Sequence, residues 1–139
     1  MHPTTFRYDR LVKSEDLNHH RTLFAGRCAE WFVEAGFIAV ASVLPASHVV
    51  CLKIHGLTFT KPLISGDIAS FESKVVYTGK TSLKVYVTVR ANNNDESILE
   101  GFITFVYVNE DGKAQPHGLT VELTDPHIIA LNQRAGKLR

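Results

Sequence analysis

Glu30 and Glu34 are the only carboxylates between Asn18 and Leu44, in the stretch NHHRTLFAGRCAEWFVEAGFIAVASVL. Arg27 is the one other charge past Gly26. A charge in so apolar a run has to be paired or put to use, because burial penalises it otherwise. The spacing of Arg27, Glu30 and Glu34 at i, i+3 and i+7 is also that of an ordinary surface salt-bridge stripe. Just upstream, Asn18 offers an amide, and His19 and His20 offer two imidazoles. Adjacent histidines point apart in an extended chain and no third ligand lies at a metal-binding spacing, so no metal site is expected. A base role stays open for one of them. Cys28 and Cys51 lack the basic surroundings that activate a thiol and read as small apolar residues. Gly26 marks a helix start. The N–H groups of Ala25, Gly26 and Arg27 there should lack helical partners, and the macrodipole adds positive potential, a combination that polarises a carbonyl oxygen. Gly26 lets such an oxygen approach the backbone, or merely permits the tight turn into the helix.

The elements that would position these groups follow from periodicity. TTFRYDRLV alternates loosely and predicts a first strand. The helix is predicted from Phe24 to Leu44, stopped by Pro45. The pattern then changes to period two. HVVCLKIHGLTFT predicts a strand from His48 to Thr60, and PLISGD a turn tightest at Gly66-Asp67. Ile68 to Thr78 and Ser82 to Ala91 predict two strands joined by the hairpin GKTS. In the second, Leu83, Val85, Val87 and Val89 share one face. Ile98 to Val108 predicts a fifth strand, with Gly101 marking a bulge or a close backbone approach. Asp125-Pro126 supplies an N-cap acceptor and an N1 proline for a short last helix through Lys137. One long helix followed by antiparallel strands is an α+β arrangement. A strongly curved sheet wrapped round the helix would explain why it is apolar on nearly every side. The leftover sheet edge would then favour self-association.

The 139 residues fit one domain spanning 1–139, with no repeat or linker to divide it. At 45% hydrophobic and 21% charged residues, disorder is not expected. A net charge of +1 gives no electrostatic case for nucleic acid or an acidic membrane surface. No apolar run reaches the ~18 residues of a membrane span, and MHPTTFRYDR is not a secretion signal. Two cysteines make no disulfide framework, so a reducing cytoplasm is the expected setting.

These residues in this order resemble the hotdog-fold thioesterase superfamily, particularly its acyl-CoA hydrolase branch. The family's helix start reads Asn-x-x-Gly-x-x-(aromatic or apolar)-Gly-Gly, with an acidic residue seven positions later. Asn18, Phe24 and Gly26 match it, while Arg21 and Ala25 replace the other two glycines. EAGFIAVA from Glu34 is similar to the continuation of that helix. LTFTKPLISGDIASFESKVVYTGKTSLKVYVTV is similar to a second signature, a strand ending in a basic-Pro pair, a Gly-Asp turn, then Gly-basic-Thr-Ser between two strands. FVYVNEDGKAQPHG resembles the last strand and its exit, so the likeness runs from about Asn18 to Gly118. It implies a hotdog fold, a curved antiparallel sheet of about five strands around one long central helix. It also implies a dimer joined sheet edge to edge, or a dimer-based tetramer or hexamer, with active sites at the subunit interface.

The resemblance further implies hydrolysis of an acyl-CoA thioester to free acid and CoA. No cofactor is implied beyond the CoA of the substrate. Asn18 would bind the carbonyl or position water, and the helix start at Gly26 would polarise the carbonyl. The expected carboxylate is missing, because Val33 stands seven residues past Gly26. Glu34 matches a second acid common in relatives, and at ~100° per residue it points about 100° from Val33, with Glu30 about 60° off on the other side. Both are candidate catalytic carboxylates. Gly79, Lys80, Thr81 and Ser82 match the family's CoA-contacting hairpin, where Lys80 can meet a phosphate. Arg134, Lys137 and Arg139 read as a basic tail, or as further phosphate contacts if the last helix folds over the site. Trp31, Phe32 and Phe37 are expected to shape an acyl tunnel. The competing reading is a hotdog module that binds acyl-CoA without cleaving it, which Val33 favours. A dehydratase pairing His19 or His20 with Glu30 is a third.

Overall fold

Period-two patterning becomes one antiparallel sheet in the computed structural model, which describes residues 1–139. Its strands are β1 (Phe6–Leu11), β2 (Val49–Ile54), β3 (Ile68–Thr78), β4 (Ser82–Ala91) and β5 (Leu99–Tyr107), in the spatial order β1-β3-β4-β5-β2. The helix α1 (Ala25–Ala41) lies on one face of the sheet and α2 (Pro126–Gly136) on the other. Alternation along β4 sends Leu83, Val85, Val87 and Val89 into the main core as predicted. There they meet Trp31, Phe32, Ala35, Ala39 and Val40 of α1. Trp31 stands edge-on to Phe71, and Phe37 edge-on to Phe105. Gly36 brings the helix flush with β5: a Cβ there would lie 2.8 Å from Ile103 Cδ1.

The opposite face of the sheet buries a smaller cluster of Val76, Tyr86 and Phe102 beneath Leu131 and Ala135 of α2. The Asp125 side chain accepts from the Ile128 N–H at 2.9 Å, and Pro126 opens the helix, as predicted. At the other end, Lys84 Nζ donates to the carbonyls of Ala135 and Leu138, where a cation suits the helix dipole.

Two predictions need correction. The strand expected from His48 to Thr60 ends at Ile54. A bulge between Cys51 and Lys53 shifts its register on β5, and Gly56 then takes a left-handed φ of 78°. The chain from there crosses close over Gly101, where a Cβ would lie 3.2 Å from the Gly56 carbonyl. Gly101 is therefore a close approach and not a bulge, for the β4–β5 register runs through it unbroken.

The second correction concerns α1. The sheet leaves one row of it open: Gly26, Glu30, Glu34, Ile38 and Ala41 are exposed at roughly four-residue spacing, while most of the remaining circumference is buried or half-buried. Both carboxylates stand on that open face, so they are not charges forced into a core. The helix also ends at Ala41, three residues short of the predicted stop, where Ser42 Oγ donates to the Ala39 carbonyl. No helix of the chain is long and apolar enough to cross a membrane.

Candidate active site at the start of α1

The loop before α1 is organised by Asn18. Its Oδ1 accepts from the N–H groups of His20 at 2.9 Å and Thr22 at 3.2 Å, and its Nδ2 lies 3.1 Å from Thr22 Oγ1. This local bonding is what asparagine does well in turns. Arg21 is carried into left-handed conformation with a φ of 62°. Asp16, only 4% exposed, fixes the same loop from behind. Its carboxylate accepts from the Lys13 N–H at 2.9 Å and stands 3.5 Å from Arg27 Nε, while its carbonyl accepts from the Phe24 N–H.

The start of α1 has no side-chain cap. The N–H groups of Arg27 and Cys28 both donate to the Phe24 carbonyl, at 3.0 and 3.1 Å. That removes Arg27 from the three free donors expected, and leaves those of Ala25 and Gly26 without an acceptor. The Phe24 ring lies across Gly26, with Cε2 2.6 Å from where a Cβ would stand. Gly26 thus makes room first for that ring, which is itself 56% exposed and free to turn outward.

Beside these donors lies a cleft of about 260 Å³. Asn18, Thr22 and Leu23 line it from the loop, Ala25 and Cys28 from the helix, and Ile98 and Leu99 from the start of β5. Its remaining wall is Phe59 to Leu63, the segment after β2, which sequence analysis took for strand and a basic-Pro ending and to which it gave no part in the site. Cys28 is buried in this wall, and burial pushes its thiol up to about 11, which makes it a poor nucleophile. The His19 and His20 rings do not point apart as an extended chain predicts but meet at a 43° tilt, centroids 4.0 Å apart, and both lie outside the lining of this cleft.

The two carboxylates are not in the cleft of their own protomer. Glu34 accepts a 2.6 Å hydrogen bond from the Tyr8 hydroxyl, which Arg10 Nη1 also reaches at 2.9 Å. Burial, and then that bond to Glu34, raises the Tyr8 phenol above its ordinary value. Glu30 has a single charged neighbour, Arg27 Nη1 at 3.9 Å. Along the helix axis Glu30 is about 7.5 Å beyond Ala25 and Glu34 about 13.5 Å. Val33 lines a separate apolar depression with Tyr8, Glu34, Phe37 and Ile38.

Within its own protomer the hairpin from Gly79 to Ser82 does not reach the cleft. Ser82 pairs with Val106, whereas the cleft is met at Leu99, seven residues away along β5 or about 23 Å.

Residues 20–98, from the Asn18 loop through the strands to Ile98, match the family model of the thioesterase superfamily. The chain belongs to that superfamily. Its hotdog fold is shared with an apo-hexameric acyl-CoA thioesterase of known structure, 31% identical, at a TM-score of 0.80 over 95% of this chain and 86% of that one. An acyl-CoA hydrolase from Staphylococcus aureus, solved with butyryl-CoA and CoA, is 27% identical with a TM-score of 0.79 over 96% of this chain and 82% of that one. An uncharacterised acyl-CoA thioester hydrolase of Bacillus subtilis is 29% identical over 133 residues, covering 88% of this chain and 74% of the relative. The Staphylococcus enzyme has also been solved with alanine in place of an asparagine, and in place of an aspartate fifteen positions after it. Fifteen positions after Asn18 stands Val33.

For a member of the thioesterase superfamily, Arg21 is a second departure. Its left-handed φ is one that glycine adopts without strain and that a residue with a Cβ does not. Arg21→Gly should raise stability by about 1 kcal/mol, the cost of holding a residue that carries a Cβ in that region. Thermal unfolding of the two proteins side by side checks this, and a lower midpoint for the glycine variant would refute it.

Proposed function

We propose that this chain hydrolyses acyl-CoA thioesters to the free acid and CoA, with the bond cleaved at the start of α1. The supporting observation is that Ala25, whose N–H is unpaired, lines one cleft together with Asn18. A thioester oxygen seated there accepts from the Ala25 and Gly26 N–H groups and gains from the helix dipole. Asn18 keeps its ring of loop bonds and turns its remaining amide hydrogen toward the carbonyl or the attacking water. Water adds to the carbonyl carbon, the C–S bond breaks, and the proton taken from water by a carboxylate passes to the departing thiolate. CoA enters as part of the substrate, and no resident cofactor is invoked.

The carboxylate is the unusual part. Glu30 is favoured over Glu34, because its one charged partner is Arg27 at 3.9 Å, which leaves its carboxylate free to face the cleft of a second copy. Glu34 is engaged by Tyr8 of β1, the strand at the opposite edge of the sheet from β2. The assembly is a dimer formed along β2, alone or within a tetramer or hexamer. Val50, Leu52 and Ile54 of that edge strand are exposed, Leu52 by 67%, and a second β2 would satisfy both them and the unpaired backbone. The exposed thiol of Cys51 suits a reducing cytoplasm.

The experiment is thiol release from a panel of acyl-CoAs. Wild type should turn over. Glu30→Ala should lose on the order of a hundredfold in kcat, the usual contribution of a positioned base, and Glu34→Ala should lose little. Saturable binding with no thiol above the uncatalysed rate would instead establish the reading that Val33 favours, a module that holds acyl-CoA without cleaving it.

A further inference from the structure

The N-cap position of α1, whose side chain ordinarily brings an oxygen to the first free N–H groups of a helix, is held by Phe24. Its backbone is pinned three times. The Phe24 N–H donates to the Asp16 carbonyl at 2.9 Å, and the Phe24 carbonyl accepts from the N–H groups of Arg27 and Cys28. Nothing comparable holds the side chain. The ring is exposed, packs against neither buried cluster and pairs with no other aromatic. Turning it about its two side-chain bonds is a picosecond-to-nanosecond motion that leaves the loop undisturbed.

Where the ring rests decides what that motion does. Its Cε2, Cζ and Cδ2 lie 2.6, 3.1 and 3.3 Å from the place of a Cβ on Gly26. Gly26 carries the second of the two unpaired N–H groups, yet unlike Ala25 it is not in the lining of the cleft. One donor therefore faces the cleft while the other residue lies under hydrocarbon. The remaining apolar walls cannot give way, because Cys28, Leu63 and Leu99 are buried in the main core and Leu23 packs against it. Elsewhere the cleft is open, for Thr60, Ile98 and Leu99 also line a cavity of about 690 Å³ beneath α2.

Given the reading above, in which a thioester oxygen takes both N–H groups, we propose that Phe24 selects the acyl group. Its ring turns aside to admit the carbonyl to Gly26 and then stands against the carbon next to that carbonyl. Acyl chains unbranched at this carbon are favoured over α-branched and aryl ones. The carbon is two bonds from the oxygen that Gly26 binds, so a branch there and the ring compete for the same volume. Glycine at position 26 serves both partners, since a side chain would occupy the space that the ring and the substrate use in turn.

The test compares wild type with Phe24→Ala and Phe24→Leu on butyryl-CoA and isobutyryl-CoA, which hold the same atoms and differ in where one methyl stands. The ratio of kcat/KM, isobutyryl over butyryl, should rise about tenfold in Phe24→Ala and less in Phe24→Leu, the low end of what one carbon commands in an apolar pocket. A general loss from a disturbed loop cancels in the ratio, so a merely structural role would not move it. Calorimetric Kd values for the two matching dethia ketones, in which a methylene replaces the sulfur, give the ratio without turnover. If neither ratio moves in the folded variants, the assignment is overturned and the hydrolase reading stands. A shift seen only in Phe59→Ala, the exposed aromatic in the cleft wall, has the same meaning. A wild type that releases no thiol, with the Kd ratio shifting as stated, would keep Phe24 as the selector and remove the hydrolase.

Discussion

Val33→Asp is expected to raise kcat for acyl-CoA hydrolysis by on the order of a hundredfold. A positioned carboxylate is worth roughly 10²–10⁴ in rate, and the substitute proposed above, Glu30, stands about 60° round the helix from position 33. Position 33 repeats the fifteen-residue step from asparagine to aspartate found in the Staphylococcus enzyme. It is half-buried on α1, beside Glu34 and the apolar Phe37 and Ile38, so a new carboxylate there stays next to water and need not be neutralised. A modest loss of stability, about 1 kcal/mol, is the expected cost of trading apolar contact for charge. Steady-state thiol release at saturating substrate decides the matter. If Val33→Asp folds, binds CoA as wild type does and turns over no faster, the carboxylate of this enzyme is already in place and Val33 fills no vacancy.

Leu52→Glu is expected to split the assembly into monomers and with it to abolish most activity. Leu52 is the most exposed large apolar side chain on β2, and the strand has only one hydrogen-bonded neighbour, β5. Across a two-fold axis along that edge, a glutamate on each copy would meet its own image or its near neighbours, burying like charges with no partner. Each such burial costs several kcal/mol, so association should weaken by roughly a thousandfold or more. Light scattering on the eluting peak reads the mass directly. A wild type that elutes as a monomer, or a Leu52→Glu protein that keeps its dimer mass, would show that copies meet elsewhere. Loss of activity at unchanged mass would point to the strand's direct part in the cleft.

Much of this architecture is written in local patterns. β3 and β4 begin and end where the alternation and the GKTS link place them, because a strand with one buried face cannot slip by a residue without turning its core outward. Asp125-Pro126 fixes α2 through a single side-chain bond. The failures are all non-local. The run after Ile54 keeps a strand-like composition, yet a strand also needs a neighbour with free hydrogen bonds, and Gly56 turns the chain across Gly101 instead. The apolar excess of α1 does not say whether a sheet of the same chain or a second copy covers it.

The site shows the same division. Asn18 and the bare N–H of Ala25 were legible because a turn residue and a helix start act within a few positions of themselves. Where Glu34 points was not, since its direction is set by Tyr8, 26 residues earlier on another element. The wall from Phe59 to Leu63 and the cavity beneath α2 exist only once distant segments meet.

The outermost strands of the sheet differ in a way that limits how copies can be added. Along β1, Arg7 and Asp9 pair with each other, Arg7 also reaches Asn93, and Arg10 stacks on Trp31 while holding Tyr8 against the helix. Charge and tethering make that margin a poor template for another strand. The β2 margin, with Val50, Leu52 and Ile54 exposed in one strand, is the more adhesive of the two. Growth by strand addition along β2 would therefore terminate after a single doubling, sparing the protein the open-ended ribbon that two adhesive margins would build.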